Sequence, residues 1–134
     1  MTDLFRILVI VFLAMHGIGH IIWFLAAWTS VGAGVRDGPW ILPGNVTIRS
    51  PLGKLWGILA LLALVLLGAA ALALLGQQAG WRQLTYVGVM VSLVAVTPWL
   101  RQSPGTTPIN AIIADLALLF VLALPLSEEL LGSA

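Results

Sequence analysis

Four long apolar runs constrain the fold of this chain more than any other feature of its sequence. They span residues 4–28, 52–75, 84–100 and 109–126. An α-helix rises about 1.5 Å per residue, so about 20 apolar residues carry it across the hydrocarbon core of a bilayer. The runs are apolar on all sides, whereas a helix on the surface of a soluble protein is apolar along one stripe only. They therefore predict four membrane-spanning helices.

Composition and connections define the rest of the predicted fold. Of the 134 residues, 60% are hydrophobic and 8% are charged, which is typical of a chain that has lipid as its main solvent. The connections are rich in Gly, Pro, Gln or Ser, and a single domain, residues 1–134, accounts for the whole chain. Turn residues in the long first connection predict a segment at residues 38–50 that lies on the membrane surface. We predict an all-α, integral membrane four-helix bundle with up-down-up-down topology and both termini on the same side.

The distribution of positive charge predicts the orientation of the bundle and the class of its partners. The end with loops 29–51 and 101–108 carries four basic residues, whereas the other end carries two. The positive-inside rule makes these loops cytoplasmic in a multi-pass protein of the cell membrane. A net charge of +1, with no basic patch, argues against a nucleic-acid partner. The expected partners are the lipid bilayer, a small lipophilic ligand and, for a transport function, a second copy of the chain.

Tryptophans mark the same end of the predicted bundle. Tryptophan is enriched where a membrane protein crosses the interface between lipid and water. Four of the six tryptophans fall near the predicted cytoplasmic end, namely Trp28, Trp40, Trp56 and Trp99. They predict an aromatic belt at that interface.

The first apolar run contains the most informative motif, His16-Gly17-Ile18-Gly19-His20. Ionisable side chains are costly in a membrane span and usually face the interior of the bundle. A spacing of four residues puts both imidazoles on one face of a helix. The two glycines allow a neighbouring helix to approach closely. The motif therefore predicts a polar stripe that faces inward.

Counting residues from the helix ends places polar side chains of three helices at one depth. His20, Ser92 and Asp115 each lie about 10–12 Å below the predicted cytoplasmic interface. His16 is one turn deeper, and Asn110 is nearer the surface. Together they predict a polar column that opens toward the cytoplasmic end. The candidate ligand-binding residues are His16, His20, Trp23, Ser92, Asn110 and Asp115.

The column is compatible with several kinds of site. His16, His20 and Asp115 form a two-histidine, one-carboxylate set that suits zinc, iron or manganese, and one histidine could be an axial ligand of haem. Peptidase chemistry is rejected, because the glutamate that such enzymes carry directly after the first histidine is replaced by glycine. Hydrolysis by Ser92 is also disfavoured, since nothing suggests an oxyanion hole and a serine hydroxyl in a membrane helix commonly bonds its own backbone. The structural alternative is that the histidines only bond across helices and fix how the helices pack.

The order and spacing of these features resemble an uncharacterised family of small four-helix bacterial membrane proteins, whose first helix carries a similar His-Gly-x-x-His motif. The matching residues are His16-Gly17 through His20, Pro51-Leu52-Gly53-Lys54-Leu55-Trp56, Trp81, Ser92, Trp99, and Gly105-Thr106 leading to Asn110. The resemblance implies a four-helix bundle in which His16, His20, Ser92 and Asn110 share a polar feature, and it implies no activity. Asp115 stands where the family usually has an apolar residue, so we expect it to be a local partner of His20.

The function predicted from the sequence is that of a binding or accessory protein. Its His-lined intramembrane pocket would hold a metal, a haem, a quinone or another small lipophilic ligand. One alternative is a proton-coupled transporter or channel component in which Asp115 and the histidines relay charge. Another is a membrane enzyme that acts on a lipid or isoprenoid substrate. The sequence assigns no catalytic residue and does not choose between these classes.

Overall fold

The chain is all-helical in the parts that its computed structural model describes, which are residues 2–31, 34–101, 107–125 and 131. Its helices are α1 (Thr2–Gly19), α2 (Ile21–Trp28), α3 (Pro51–Leu75), α4 (Trp81–Val96), a 3₁₀ turn (Thr97–Trp99) and α5 (Thr107–Ala123). Since α1 and α2 together fill the first apolar run, four helical segments correspond to the four predicted runs. The predicted end of the last run, residue 126, lies outside the described residues.

The sequence predicts one continuous helix for the first run. In the structure, this helix is interrupted at His20. The helix α1 ends at Gly19 and α2 begins at Ile21. The His20 N–H donates to the carbonyl of Gly17 at 3.0 Å, and its own carbonyl accepts from the N–H of Trp23 at 3.2 Å. These bonds span three residues instead of four, which tightens the turn, and glycine lowers helix stability at this point. The tightened turn sets the direction in which the His20 ring leaves the backbone.

The long helix α3 begins at a well-defined cap. Ser50 Oγ accepts from the N–H of Gly53 at 3.1 Å and donates to the carbonyl of Thr47 at 2.6 Å, and Pro51 occupies the first turn. Serine as the cap and proline at the first helical position are the favoured residues for a helix start. A Cβ atom on Gly53 would collide with the carbonyl oxygens of Thr47 and Ile48, so only glycine fits beneath this turn.

Helix α3 lies at the centre of the molecule and contacts α1, α2 and α4. A Cβ atom on Gly57 would lie 2.7 Å from the Cβ of Ala27, and one on Gly17 would lie 3.3 Å from the Cβ of Leu67. The close approach at Gly17 confirms the packing predicted for this residue. A Cβ atom on Gly19 or on Gly68 would meet nothing within 4 Å, so the close approach predicted at Gly19 is wrong. The alanines that α3 buries are Ala60, Ala63, Ala70, Ala71 and Ala73.

Helices α4 and α5 complete the interior. Helix α4 begins at Trp81, earlier than the predicted residue 84, directly after Gly80 at φ 92°. Helix α5 packs on α4, but α1 and α5 are not among the pairs of helices with extensive backbone contact in the described chain. A seam therefore separates α1 from α5, and side chains fill part of it.

The segment predicted to lie on the membrane surface folds back onto the helix ends. The N–H of Trp40 donates to the carbonyl of Val46 at 2.8 Å, and that of Ile41 donates to the carbonyl of Pro98 at 2.9 Å. The Trp40 ring packs edge-on against the Trp56 ring, with centroids 5.4 Å apart. This loop thus covers one end of the helices.

The outward faces of the helices are apolar. The stretch Asp3–Trp28 and the helix Pro51–Leu75 are long and apolar enough to cross a membrane, as judged by length and composition, and Pro108–Ala123 is a shorter apolar helix. Large apolar side chains are exposed on all of them, and the most exposed are Leu72, Phe120, Leu4 and Met15, at 64–70%. Trp99, in contrast, is 1% exposed, so it belongs to the core instead of the predicted aromatic belt.

Candidate functional site

A chain of hydrogen bonds joins α1, α4 and α5 in the interior. His16 Nε2 lies 2.7 Å from Asp115 Oδ1. The Ser92 hydroxyl donates to Asp115 Oδ2 at 2.6 Å, and His20 Nε2 lies 3.0 Å from Ser92 Oγ. The order along the chain is therefore His16, Asp115, Ser92, His20. We call these four residues the polar network.

The polar network is almost completely shielded from solvent. Ser92 and Asp115 have no exposed surface, and His20 is 2% exposed. The side chain of His16 is 8% exposed. A buried polar atom without a partner costs free energy, and a buried charge costs more. Both oxygens of Asp115 avoid this cost because each accepts a hydrogen bond from a different helix.

Counting donors fixes the direction of each hydrogen bond. Asp115, as a carboxylate, only accepts, and the single proton of the Ser92 hydroxyl points to Asp115 Oδ2. Ser92 Oγ must then accept from His20, so His20 carries a proton on Nε2. By the same reasoning, His16 donates to Asp115 Oδ1 through its own Nε2–H. Both imidazoles thus use Nε2 on the side of the network, which leaves Nδ1 as their second ring nitrogen.

The two imidazoles also pack on each other and on an aromatic neighbour. The rings of His16 and His20 meet edge-to-face, with centroids 5.1 Å apart and planes at 69°. Phe12 stacks on His16, with centroids 6.2 Å apart. The spacing of four residues thus puts both histidines on one face, as predicted. The ring packing restricts how far either imidazole can turn.

A cavity of about 210 Å³ lies next to the network, in the seam between α1–α2 and α5. It is lined by Met15, His16, Gly19, His20, Ile22, Trp23, Asn110 and Ala111. Met15, Gly19 and Asn110 are exposed, so the cavity opens on the side of the helix assembly. A Cβ atom on Gly19 would meet nothing within 4 Å, which leaves this part of the wall open.

His20 lines the cavity and also belongs to the network, and its two ring nitrogens differ in their hydrogen bonding. Its Nε2 is bonded to Ser92, as described above. Its Nδ1 is buried and has no hydrogen-bond partner within the part of the chain that the structure describes. Most buried polar atoms in proteins are paired, so an unpaired ring nitrogen in a cavity wall points to a missing partner.

The structure brings the six predicted ligand-binding residues into two layers. His16, His20, Trp23 and Asn110 line the cavity, and Trp23 is 4% exposed. Ser92 and Asp115 lie behind the imidazoles and take part only in the network. Asp115 binds His16 directly and reaches His20 through Ser92, so it is not the direct partner of His20 that the sequence predicts.

Sequence reasoning missed two features of the site. The Ser92 hydroxyl is expected to bond its own helix, as the Thr97 hydroxyl does by donating to Leu93 at 2.6 Å, but Ser92 bonds across helices instead. The sequence predicts a His-lined pocket, but it does not predict that Gly19 forms an open part of the pocket wall. Gly17 and Gly19 are the residues that could have indicated an open wall, because small residues near a polar stripe can leave space as well as allow close packing.

The network does not have the arrangement of a nucleophilic triad. In a triad the histidine lies between the serine and the carboxylate and accepts the serine proton. Here Ser92 lies between His20 and Asp115, and its proton goes to the carboxylate. Because Ser92 is completely buried, a substrate could not reach its hydroxyl.

The predicted metal set of His16, His20 and Asp115 does not match the geometry. Within the described residues, no group of three or more His, Cys, Asp or Glu side chains is arranged to hold a metal ion. His16 Nε2 and Asp115 Oδ1 bind each other at 2.7 Å, and His20 Nε2 is taken by Ser92. We therefore derive no chemistry through a metal at this site.

A scan against protein-family models, a search of curated proteins and a search of solved structures found no match to this chain. The resemblance to a family of small four-helix membrane proteins stays a prediction. Any functional assignment therefore depends on the geometry of the polar network and the cavity beside it.

Proposed function

We propose that this protein spans the membrane as a four-helix, up-down-up-down bundle and binds a small lipophilic molecule in the cavity between α1–α2 and α5. One observation carries the proposal: two imidazoles of a buried polar network line a cavity in an otherwise apolar helix assembly. The cavity opens sideways, where a lipophilic molecule would approach.

The exposed apolar surface supports the membrane location. Soluble monomers rarely expose contiguous apolar patches larger than a few hundred Å². Here large apolar side chains are exposed along α1, α3, α4 and α5, for example Leu8 at 57%, Val65 at 55% and Met90 at 57%. A lipid environment would cover all of these faces at once, and loops 29–51 and 101–108 would face the cytoplasm.

The size and the lining of the cavity support a small occupant. Ligand sites usually have mostly apolar walls with a few polar groups that fix orientation. Here Met15, Ile22 and Trp23 provide the apolar wall, and the imidazoles of His16 and His20 provide polar atoms. An apolar cavity of about 150 Å³ is known to accept benzene, so about 210 Å³ is enough for one substituted ring.

The polar network supports binding because it holds the two imidazoles in place. Ionisable groups inside a membrane are expensive and usually functional. In this chain Asp115 and Ser92 fix the Nε2 side of both rings, so the rings face the cavity in a defined orientation. A site whose polar groups are already oriented loses less free energy when it orders an occupant.

Photolabelling with a small aryl diazirine, 3-phenyl-3-(trifluoromethyl)diazirine, tests the proposal. We expect the wild-type protein in lipid vesicles to be labelled at Trp23, which lines the cavity but is only 4% exposed. A Gly19→Leu variant should lose that label, because the new side chain extends into open space in the cavity wall. Mass spectrometry of proteolytic peptides locates the label.

The matched control is Gly68→Leu. Gly68 also has nothing within 4 Å of a Cβ atom, but it lines a different groove, between α1 and α3. The control should keep the label at Trp23, and Phe120, which is 65% exposed, should be labelled equally in all three proteins. Equal labelling of Trp23 in the wild type and in Gly19→Leu would refute the binding site.

A second candidate function is proton transfer, and the unbroken chain from Asp115 through Ser92 to His20 favours it. The titratable groups in this chain and in contact with it are His16, His20 and Asp115, and α3 contributes none at this depth. A relay needs the Ser92 hydroxyl, so Ser92→Ala should abolish proton flux into vesicles, whereas Ser92→Thr should retain it. An internal pH-sensitive dye measures the flux, and equal flux in both variants would eliminate the relay.

A further inference from the structure

We infer that the cavity selects an occupant that donates a hydrogen bond, and that the best fit is a phenol, a single aromatic ring with a hydroxyl group. The inference rests on the proposed binding function and names the ligand class for that same cavity. It follows from the orientation of the imidazoles, from the unpaired nitrogen of His20 and from the size of the space.

The direction of the hydrogen bonds makes His20 an acceptor toward the cavity. His20 spends its Nε2–H on Ser92. A neutral imidazole has one N–H donor and one nitrogen with a lone pair, so the remaining Nδ1 accepts. A positive charge on His20 would instead leave a buried Nδ1–H donor without a partner, in addition to a buried charge, which makes this alternative costly.

The unpaired Nδ1 of His20 makes the cavity specific for an occupant that donates a hydrogen bond. It is buried, and no partner for it is found in the described residues. His20 lines the cavity, and a small tilt of its ring about the broad χ2 torsion would bring this nitrogen toward an occupant. A hydroxyl group would donate to this nitrogen and remove the cost of leaving it unpaired. A ketone or a quinone, which only accepts, would place a second lone pair against the first.

The shape of the cavity indicates a ring as the body of the occupant. Trp23 and Ile22 form apolar parts of the wall. The volume of about 210 Å³ accommodates one substituted ring but not a long isoprenoid chain. Any longer tail would extend through the opening at Met15 and Gly19, which are both exposed.

Calorimetric titration of the detergent-purified protein tests this inference with two matched probes, 4-propylphenol and its methyl ether, 4-propylanisole. The two molecules share a ring and a tail, but only the phenol donates a hydrogen bond. Subtracting the heat measured with Gly19→Leu removes the uptake of each probe by detergent. We expect the wild type to bind the phenol about tenfold more tightly than the ether, the size of effect expected for one hydrogen bond to a buried group.

A His20→Phe variant removes the acceptor and keeps an aromatic ring in the cavity wall. The phenylalanine ring has no nitrogen lone pair. It also cannot donate to Ser92, so circular dichroism checks that the helix content is unchanged. We expect this variant to bind both probes with similar affinity. Thr97→Val, which removes a hydroxyl that bonds only Leu93 of its own helix, should keep the wild-type preference.

A spectroscopic signature of the wild type does not depend on any variant. The ¹⁵N NMR signal of His20 Nδ1 should have the chemical shift of an unprotonated nitrogen and should move when 4-propylphenol, but not 4-propylanisole, is added. Equal affinity for the two probes would overturn the donor selectivity and leave the binding site intact. Heats that are identical for the wild type and Gly19→Leu with both probes would overturn the binding site itself.

Discussion

Asp115 stabilises the interior because each of its oxygens accepts a hydrogen bond from a different helix. His16 donates from α1 and Ser92 donates from α4, at 2.7 and 2.6 Å. Without Asp115, the polar side chains of two helices would face each other with no shared acceptor. This residue therefore joins α5 to the rest of the molecule by polar contacts.

Removing Asp115 or Ser92 should destabilise the protein, and the two effects should be coupled. Interhelical hydrogen bonds of membrane proteins are worth about 0.6 to 2 kcal/mol each, so Asp115→Ala should lower the free energy of unfolding by about 1–3 kcal/mol. A double-mutant cycle with Ser92→Ala should give a coupling of about 0.6–1.7 kcal/mol. Unfolding in sodium dodecyl sulfate, followed by circular dichroism, measures these changes.

The control for this cycle is Thr97→Val, because the Thr97 hydroxyl bonds only its own helix. It should change the free energy of unfolding by less than about 0.5 kcal/mol. Strictly additive effects of Asp115→Ala and Ser92→Ala would show that the hydrogen bond between the two side chains contributes nothing to stability.

The sequence predicts the depth of each site residue but not its partner. The helical rise is fixed, so counting from the helix ends puts His20, Ser92 and Asp115 at one level, and the structure brings them together. The rotation of each helix about its axis depends on packing against several neighbours. Counting therefore could not show that Asp115 binds His16 directly, or that Ser92 lies between Asp115 and His20.

Helix α3 positions the other helices by presenting small residues to them. Gly57 accepts the close approach of Ala27 from α2, and Leu67 of α3 packs against Gly17 of α1 and Gly88 of α4. Because α3 carries no polar side chain between Trp56 and Gln77, it contributes packing surface but no polar group to the site. The polar network belongs to the helices that surround it.

Two glycines of α3 should respond oppositely to alanine. The new Cβ in Gly57→Ala would lie 2.7 Å from the Cβ of Ala27, which is not the end of a flexible side chain. We expect a loss of about 1–3 kcal/mol in the free energy of unfolding. Gly68→Ala meets nothing within 4 Å, so it should be neutral or add up to about 1 kcal/mol of stability.

The same denaturation assay measures both variants. If Gly57→Ala is as stable as Gly68→Ala, the close contact between α2 and α3 cannot be as tight as the structure shows. The far-ultraviolet circular dichroism spectrum of each variant checks that helix content is unchanged.

At the level of elements, the apolar runs predict the existence of each helix, and local chemistry sets its ends. The second apolar run predicts the start of α3 at residue 52, one residue after the observed start at Pro51, which the Ser50 cap sets locally. The interruption at His20 could not be predicted, since it results from a balance between a glycine-weakened turn and tertiary contacts of the His20 ring. Hydropathy describes neither the weakened turn nor the tertiary contacts.

The described helices present apolar side chains outward, and their interior is also mainly apolar apart from the polar network. Two of its helical stretches, Asp3–Trp28 and Pro51–Leu75, have the length and composition to cross a membrane. The proposed up-down-up-down arrangement places the loops at residues 29–51 and 101–108 on one side and the connection at residues 76–80 on the other.

Cysteine labelling should show this arrangement directly, since the chain contains no cysteine. In inverted membrane vesicles, where the cytoplasmic face is outside, a membrane-impermeant maleimide should modify Arg36→Cys and Arg101→Cys. It should modify Gln78→Cys only after the vesicles are opened with detergent. Modification of Arg36→Cys and Gln78→Cys from the same side would contradict the proposed topology.

The seam between α1 and α5 has a consequence for how the cavity would be filled. In the proposed membrane location, an opening on the side of the bundle would let an occupant arrive by lateral diffusion within the bilayer instead of from water. Occupancy would then follow the mole fraction of the ligand in lipid, and its apparent affinity in water would include its partition coefficient. Adding lipid at a constant total amount of ligand would empty the site, even though the ligand concentration per volume of sample stayed the same.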